Sequence, residues 1–201
     1  MPRLEEVKIL DSNNDYLRFC EIKYRKDSTS KDTNSYYMVT RNKPEDMAAL
    51  RASYQDYSVK SNGIVIAPYF EDSNELLFIR EYRPAINSFE YGFPAGLIEE
   101  GENIEEAIIR ELAEETGLEV LSTEKILGAA YDSIGISDEA VSIYLAKVTG
   151  SFTNENTVGK EIIESAIKVK LEDVADFIEN NIIGTQTALS SLYIVEKFKN
   201  K

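Results

Sequence analysis

Hydrophobic and polar positions alternate in short runs along most of the chain, which is the pattern of half-buried strands. In the first sixty residues it predicts two strands, at 15–25 and 36–42, on either side of a polar, turn-forming run. A clearer β-hairpin follows, formed by strands at 63–70 and 75–83. Residues 84–96 are interpreted as a loop. Residues 44–54 are predicted to include a short helix.

One central stretch has a helical period instead, and it predicts a helix over 104–116. Asn103 followed by Glu106 has the form of a capping box, and Gly117 stands where a helix end favours positive φ. Downstream, the pattern predicts strands at 125–131, 140–148 and 162–169 and helices at 171–180 and 185–199. These elements predict an α/β sandwich around a mixed sheet, with an antiparallel β extension at the N-terminus.

The central helix carries an unusual group of carboxylates. Glu111, Glu114 and Glu115 fall within an arc of roughly 100° on the helix. Glu111 lies seven residues after Ile104, and Glu115 lies seven after Ile108, so both continue the apolar stripe of the helix. Because half-buried carboxylates are costly unless a cation or hydrogen-bond donors compensate them, this phase predicts a bound positive charge.

Composition narrows the chemistry that the site can use. The 201 residues fit one domain with a small extension, and they include no histidine and one cysteine, Cys20, expected to be a small core residue. The formal charge of −14 argues against a nucleic acid or an anionic membrane surface as the main partner. The N-terminal residues show no export signal, so a cytoplasmic location is expected.

Without imidazole, metal and acid–base chemistry must use carboxylates. Oxygen ligands select hard cations such as Mg²⁺ or Mn²⁺, and Mg²⁺ in proteins usually acts beside substrate phosphates. Arg110 lies one turn before Glu114 and could pair with it, so we assign Arg110 the role of orienting the carboxylates. Phosphate chemistry is therefore the natural expectation.

The spacing of these residues resembles a known motif. Gly96, five residues, Glu102, seven residues and then RELAEETGL over 110–118 are similar to a complete Nudix box. The resemblance implies a Nudix-type α/β/α sandwich and a metal-dependent pyrophosphohydrolase. It also implies that Glu111 and Glu115 are the main ligands of Mg²⁺ or Mn²⁺, that Glu114 assists, and that the carbonyl of Ala95 contributes an oxygen.

The segment before the box resembles that of one subfamily in particular. Residues 80–102 are similar to the corresponding segment of ADP-ribose pyrophosphatases and related nucleoside-diphosphate-sugar hydrolases, in which the residue matching Arg83 contacts the diphosphate. That subfamily implies a homodimer in which the N-terminal extension, residues 1–58, builds part of the base pocket of the hydrolase domain, 59–201. Arg41 and Tyr37 are candidate substrate contacts there, and strand packing is the alternative role of the tyrosine.

Two positions depart from the usual ADP-ribose pattern. Gly92 stands where many such enzymes have a glutamate, and Ile134 replaces a proline. The identity of the residue that activates water is also undecided. In the resembling enzymes an acidic residue late in the chain has this role, and we prefer Glu161 over Glu164 here. Asp138 and Glu139, on the preceding loop, are held as alternatives, and so is a purely surface role for the two late glutamates.

The sequence therefore predicts an enzyme that cleaves ADP-ribose to AMP and ribose 5-phosphate, with a small nucleoside diphosphate as its partner and neither nucleic acid nor membrane. A second hypothesis keeps the reaction and changes the substrate to another nucleotide sugar or a dinucleotide. A third is a Nudix-like sensor that binds a nucleotide without turnover. The complete set of carboxylates favours catalysis.

Overall fold

The computed structural model describes residues 3–11, 16–43, 47, 59–157 and 161–199. The chain divides into two compact units, of which the first comprises residues 1–62 with 129–141 and the second 63–128 with 142–201. The short helix predicted at 44–54 lies outside the described residues except for Met47. The proposed boundary between 58 and 59 stays a prediction.

The first unit contains a three-stranded antiparallel sheet in the order β1-β2-β3. Its strands are β1 (Arg3–Asp11), β2 (Arg18–Arg25) and β3 (Asn34–Thr40). Cys20, Met38 and Met47 are buried together, which confirms Cys20 as a small core residue. The sequence patterns did not predict β1, because register shifts between Leu4 and Glu6 and between Ile9 and Asp11 interrupt its alternation.

The second unit is built on a seven-stranded sheet with the order β10-β5-β4-β9-β8, to which β6 adds beside β5 and β7 beside β4. The strands are β4 (Gly63–Phe70), β5 (Glu75–Arg83), β6 (Ser88–Gly92), β7 (Ala95–Leu97), β8 (Glu119–Tyr131), β9 (Ala140–Thr149) and β10 (Ile163–Lys170). The helices are α1 (Ile104–Thr116), α2 (Val174–Glu179) and α3 (Thr185–Lys199). All eight residues of β4 are buried, as expected of a strand covered on both faces.

Alternation along β5 sorts its side chains onto two faces of this sheet. Leu77 and Ile79 pack in the core that contains Ile108 and Leu112 of α1. Phe78 points the other way, because successive strand residues face opposite sides, and its ring lies 4.9 Å from that of Phe177 in α2. Helix α1 thus covers one face and α2 the other.

Helix α1 forms over the predicted residues because its ends are specified locally. The side chain of Asn103 accepts a hydrogen bond from the backbone of Glu106 at 3.1 Å, and Glu106 accepts one from the backbone of Asn103 at 3.0 Å. Gly117 ends the helix with φ of 68°, a conformation that side chains with a Cβ disfavour. The capping box and the glycine stop are therefore confirmed.

Three predicted elements need correction. The loop predicted at 84–96 contains β6 and β7, whose short length and flanking prolines concealed the pairing that joins them to β5 and β4. Strand β8 begins at Glu119 instead of 125. The sequence pattern missed its first residues because β8 is an edge strand, and its largely exposed residues show no alternation. The helix predicted at 171–180 is a 3₁₀ turn, Leu171–Asp173, followed by the six-residue α2. Among the described residues, no helix is both long and apolar enough to cross a membrane.

Candidate active site

Two of the three helix carboxylates are buried beneath α1. Glu115 and Glu111 are only 3% and 7% exposed, whereas Glu114 is half-buried. This arrangement agrees with the phase of the apolar stripe. Burial, followed by the charges of Glu161, Glu111 and Glu81, raises the pKa of Glu115 to about 9. Its Oε2 atom is inaccessible to solvent and has no hydrogen-bond partner in the described part of the chain. A buried oxygen of this kind is costly unless a cation or a donor meets it.

Glycine at position 96 makes room for the second carboxylate. A Cβ built on Gly96 would overlap the carboxylate of Glu111, so that side chain rests directly on the backbone of β7. Burial raises the pKa of Glu111, while its hydrogen bond to Arg110 acts to lower it. The glycine that opens the Nudix-like motif is therefore a spatial requirement of the carboxylate fifteen residues later.

Arg110 forms the ion pair predicted with Glu114 and also contacts further groups. Its Nε and Nη2 atoms donate to the two carboxylate oxygens of Glu102 at 2.8 and 2.9 Å. Its Nη1 donates to Glu111 at 2.7 Å, and Nη2 also reaches the carbonyl of Leu97 at 3.0 Å. In the predicted ion pair, Arg110 Nη1 lies 3.7 Å from the nearer carboxylate oxygen of Glu114. The hydrogen bond from Arg110 lowers the pKa of Glu102 to about 2.

The backbone of Ala95 lies against Glu115. Ala95 belongs to β7 and pairs with Val65 of β4, and its N–H donates a hydrogen bond to the Glu115 carboxylate. This donor offsets part of the burial of that carboxylate. The metal contact expected of the Ala95 carbonyl stays a prediction.

Strand β5 contributes two charged residues to the α1 face of the sheet. Glu81 and Arg83 follow Leu77 and Ile79 in alternation, so all four share that face. Glu81 is 7% exposed, and burial, with Glu161 and Glu90, raises its pKa against the opposing effect of Arg83. The sequence reasoning missed Glu81, although the alternation in ELLFIREYR could have placed it beside the helix carboxylates.

The two late glutamates lie in different surroundings. The charge of Glu161 raises the pKa of Glu111 and of Glu115, and Arg83 acts on Glu161 in turn, so Glu161 is electrostatically coupled to the helix carboxylates. Glu164 forms an ion pair with Arg80. Because Arg80 lies between Ile79 and Glu81 in β5, it points to the opposite face of the sheet. The geometry therefore separates Glu164 from the helix carboxylates.

The remaining candidates belong to the first unit. Tyr37 is 52% exposed, and its ring stacks on Phe19 at 5.8 Å between centroids. Arg41 forms an ion pair with Glu139 at 3.1 Å. Asp138, the other alternative acid, is buried. The substrate contacts expected of Tyr37 and Arg41 stay predictions.

The buried carboxylates of α1 fit a divalent cation that takes few of its ligands from the protein. Within the described ranges, no three acidic or thiol side chains are arranged to hold an ion without help. Mg²⁺, however, typically takes one or two carboxylates and completes its shell with waters and substrate phosphates. Glu111 and Glu115 are two such carboxylates, and Oε2 of Glu115 has no hydrogen-bond partner among the described residues.

Comparison with known proteins identifies the class. The sequence model of the NUDIX domain matches residues 60–184, which is more than half of the chain. The protein therefore belongs to the Nudix family. It is a Nudix pyrophosphohydrolase that resembles ADP-ribose pyrophosphatases.

The sequence identity to individual relatives is modest. An "ADP-ribose pyrophosphatase" of Bacillus subtilis (strain 168) is 28% identical over 137 residues, which cover 68% of this chain and 74% of that protein. A "Methanol dehydrogenase activator" of Bacillus methanolicus is 30% identical over 139 residues, with the same two coverages. A solved structure described as "Crystal structure of ADP compounds hydrolase" superposes with a TM-score of 0.72 at 18% identity, over 99% of this chain and 95% of that one. The superposition confirms the mixed α/β fold with its N-terminal antiparallel sheet.

Replacing Gly96 with alanine should weaken the metal site without unfolding the protein. The new methyl group would push the Glu111 carboxylate from its place, and changes in the groups that orient a metal ligand typically cost 10–100-fold in metal affinity. We expect Mn²⁺ affinity, measured by electron paramagnetic resonance titration, to fall by roughly tenfold or more. Gly128→Ala is the matched control, because a Cβ there meets nothing within 4 Å. Equal affinities for Gly96→Ala and the control would show that Glu111 is not a ligand.

Proposed function

We propose that this Nudix hydrolase acts on ADP compounds and that its main substrate is ADP-ribose, cleaved to AMP and ribose 5-phosphate in the presence of Mg²⁺ or Mn²⁺. The observation that carries the proposal is the buried pair Glu111 and Glu115, which share one face of α1 and include an oxygen without a hydrogen-bond partner in the described residues. Such a pair is unfavourable in a protein that binds no cation.

The substrate class rests on the relatives and on the segment before the box. The names of several relatives refer to ADP-ribose or to ADP compounds, among them the Bacillus subtilis protein. Arg83 lies on the same face of the sheet as the carboxylates and can bind a diphosphate oxygen. These features support an ADP-containing diphosphate as substrate.

Each residue has a distinct role in the proposed reaction. A divalent cation, when bound, would polarise the phosphoryl oxygens and neutralise developing charge. Glu111 and Glu115 would hold it, with Glu114 and the Ala95 carbonyl assisting. Arg110 keeps Glu111 in position through its hydrogen bond of 2.7 Å.

Glu161 is the proposed acceptor of the proton from the attacking water. Burial, together with the charge of Glu114, raises the pKa of Glu161 and so brings that pKa closer to neutral pH than the pKa of an exposed glutamate. A general base is most effective when its pKa lies near the working pH. Its electrostatic coupling to Glu111 and Glu115 supports this role over Glu164.

Gly92 and Ile134 favour a second candidate, the same reaction on another nucleotide sugar or on a dinucleotide. Both positions depart from the usual ADP-ribose pattern, and neither belongs to the carboxylate cluster. A sensor without turnover is disfavoured by the complete set of carboxylates. Base recognition by Tyr37 and Arg41, the homodimer and the cytoplasmic location are part of the proposal as well.

A substrate panel tests the proposed function. Purified protein with Mg²⁺ or Mn²⁺ would be incubated with ADP-ribose, other nucleotide sugars and diadenosine polyphosphates, and the products separated by ion-exchange chromatography. We expect ADP-ribose to give AMP and ribose 5-phosphate with the highest kcat/KM, and EDTA to abolish the reaction. A higher kcat/KM for another substrate of the panel would favour the second candidate. If none of the substrates is hydrolysed, the proposal that the protein is an enzyme acting on these compounds is rejected.

Two matched substitutions test the assignment of the base. Glu161→Gln should lower kcat by roughly 10² to 10⁴-fold, the usual contribution of a positioned general base. Glu164→Gln makes the same chemical change three residues later, on the other face of the sheet, and should leave kcat within about threefold of wild type. The assignment to Glu161 is wrong if the two variants have equal rates.

A further inference from the structure

Two carboxylates on neighbouring strands hold the guanidinium of Arg83. Glu81 of β5 and Glu90 of β6 stand directly opposite each other in the antiparallel register. Glu90 accepts a hydrogen bond from Arg83 Nε at 2.7 Å, and an oxygen of Glu81 lies 2.9 Å from Nη1. We call these three residues the Arg83 clamp.

The placement of Glu81 opposite Glu90 is energetically unfavourable unless Arg83 compensates the two charges. Like charges directly opposite on adjacent strands destabilise a sheet, and Glu81 is buried as well. Arg83 compensates both charges at once. On the far side of Glu90, a Cβ at Gly184 would be 3.5 Å from its Oε2 atom, so this carboxylate also lies beside the N-terminal end of α3. Helix N-termini favour negative charge, which helps to hold the Glu90 carboxylate in place.

The hydrogen-bond geometry leaves one part of the guanidinium available. Glu90 engages Nε and Glu81 engages Nη1, whereas Nη2 donates to no group in the described residues. A guanidinium has five N–H donors in a rigid plane, so fixing two nitrogens also fixes the direction of the third. The clamp therefore presents one preoriented amino group to an incoming anion.

We propose that Glu81 and Glu90 are positioning residues that hold Arg83 so that its Nη2 group meets the diphosphate of the substrate. The role of Arg83 as a diphosphate contact rests on the proposed function, and the clamp itself does not. Preorganising a binding group lowers the cost of ordering it when substrate arrives. The clamp should accordingly act on substrate binding and leave the chemical step unchanged.

Glu90 is the better residue to test, because the charge of Glu81 acts on the pKa of Glu115 and that of Glu90 is not among the causes of its shift. Glu90→Gln keeps an oxygen that can accept from Nε and removes the charge, whereas Glu90→Ala removes both. With ADP-ribose as substrate, we expect Glu90→Ala to raise KM roughly tenfold with kcat within about twofold of wild type, which is the signature of lost binding. Glu90→Gln should keep KM within about threefold of wild type, because the acceptor remains.

A double-mutant cycle with Arg83→Ala identifies whether Glu90 acts through Arg83. In the Arg83→Ala background, Glu90→Ala should change KM by less than about twofold. The same tenfold increase in both backgrounds would overturn the proposal, and so would equal KM values for Glu90→Ala and Glu90→Gln. Glu75→Gln, the same change at the opposite end of β5, controls for net charge.

A second readout needs no substrate. The ¹⁵Nε–H resonance of Arg83, assigned from its loss in Arg83→Lys, should exchange slowly with water in the wild-type protein and rapidly in Glu90→Ala. Equal exchange rates would reject the clamp. Failure of the wild-type protein to hydrolyse ADP-ribose, with the exchange difference present, would count against the proposed function alone.

Discussion

The burial of carboxylates beneath helix α1 is the constraint on which the rest of the site depends. An unpaired buried charge costs several kcal/mol even after the protein relaxes, a large share of the free energy of unfolding of a typical domain. Glu115 and Glu111 nevertheless face the sheet in the same stripe as Ile108 and Leu112. The surroundings of these two residues are explained by the need to compensate them.

The two buried carboxylates are compensated to different extents. Glu111 has Arg110, which Glu102 holds from the other side, and the backbone of Gly96 gives it room. Glu115 has one backbone donor and an oxygen without a partner in the described residues, so the cluster is incomplete on that side. In the proposed function, a divalent cation would supply the missing positive charge.

Local interactions explain which parts of this arrangement could be predicted from sequence. Helix α1, its capping box and its glycine stop depend on residues within one turn, and the phase of the carboxylates follows from the helical period. The contact of Arg110 with Leu97 and the place of Glu81 depend on which strands pair. Strand β6, read as loop, brings Glu90 opposite Glu81. No spacing within the sequence specifies that contact.

Thermal denaturation of the wild-type protein and of Glu115→Gln, each in EDTA and in millimolar Mn²⁺, tests the central claim most directly. Folding raises the pKa of Glu115 from the ordinary glutamate value to about 9, so at neutral pH burial of this carboxyl opposes folding, and glutamine removes the penalty. The account predicts a Tm in EDTA at least about 2 °C higher for Glu115→Gln than for wild type. It also predicts that Mn²⁺ raises the wild-type Tm by roughly 5 °C and leaves that of the variant unchanged. A lower Tm for Glu115→Gln in EDTA, with the wild-type response to Mn²⁺ retained, would contradict it.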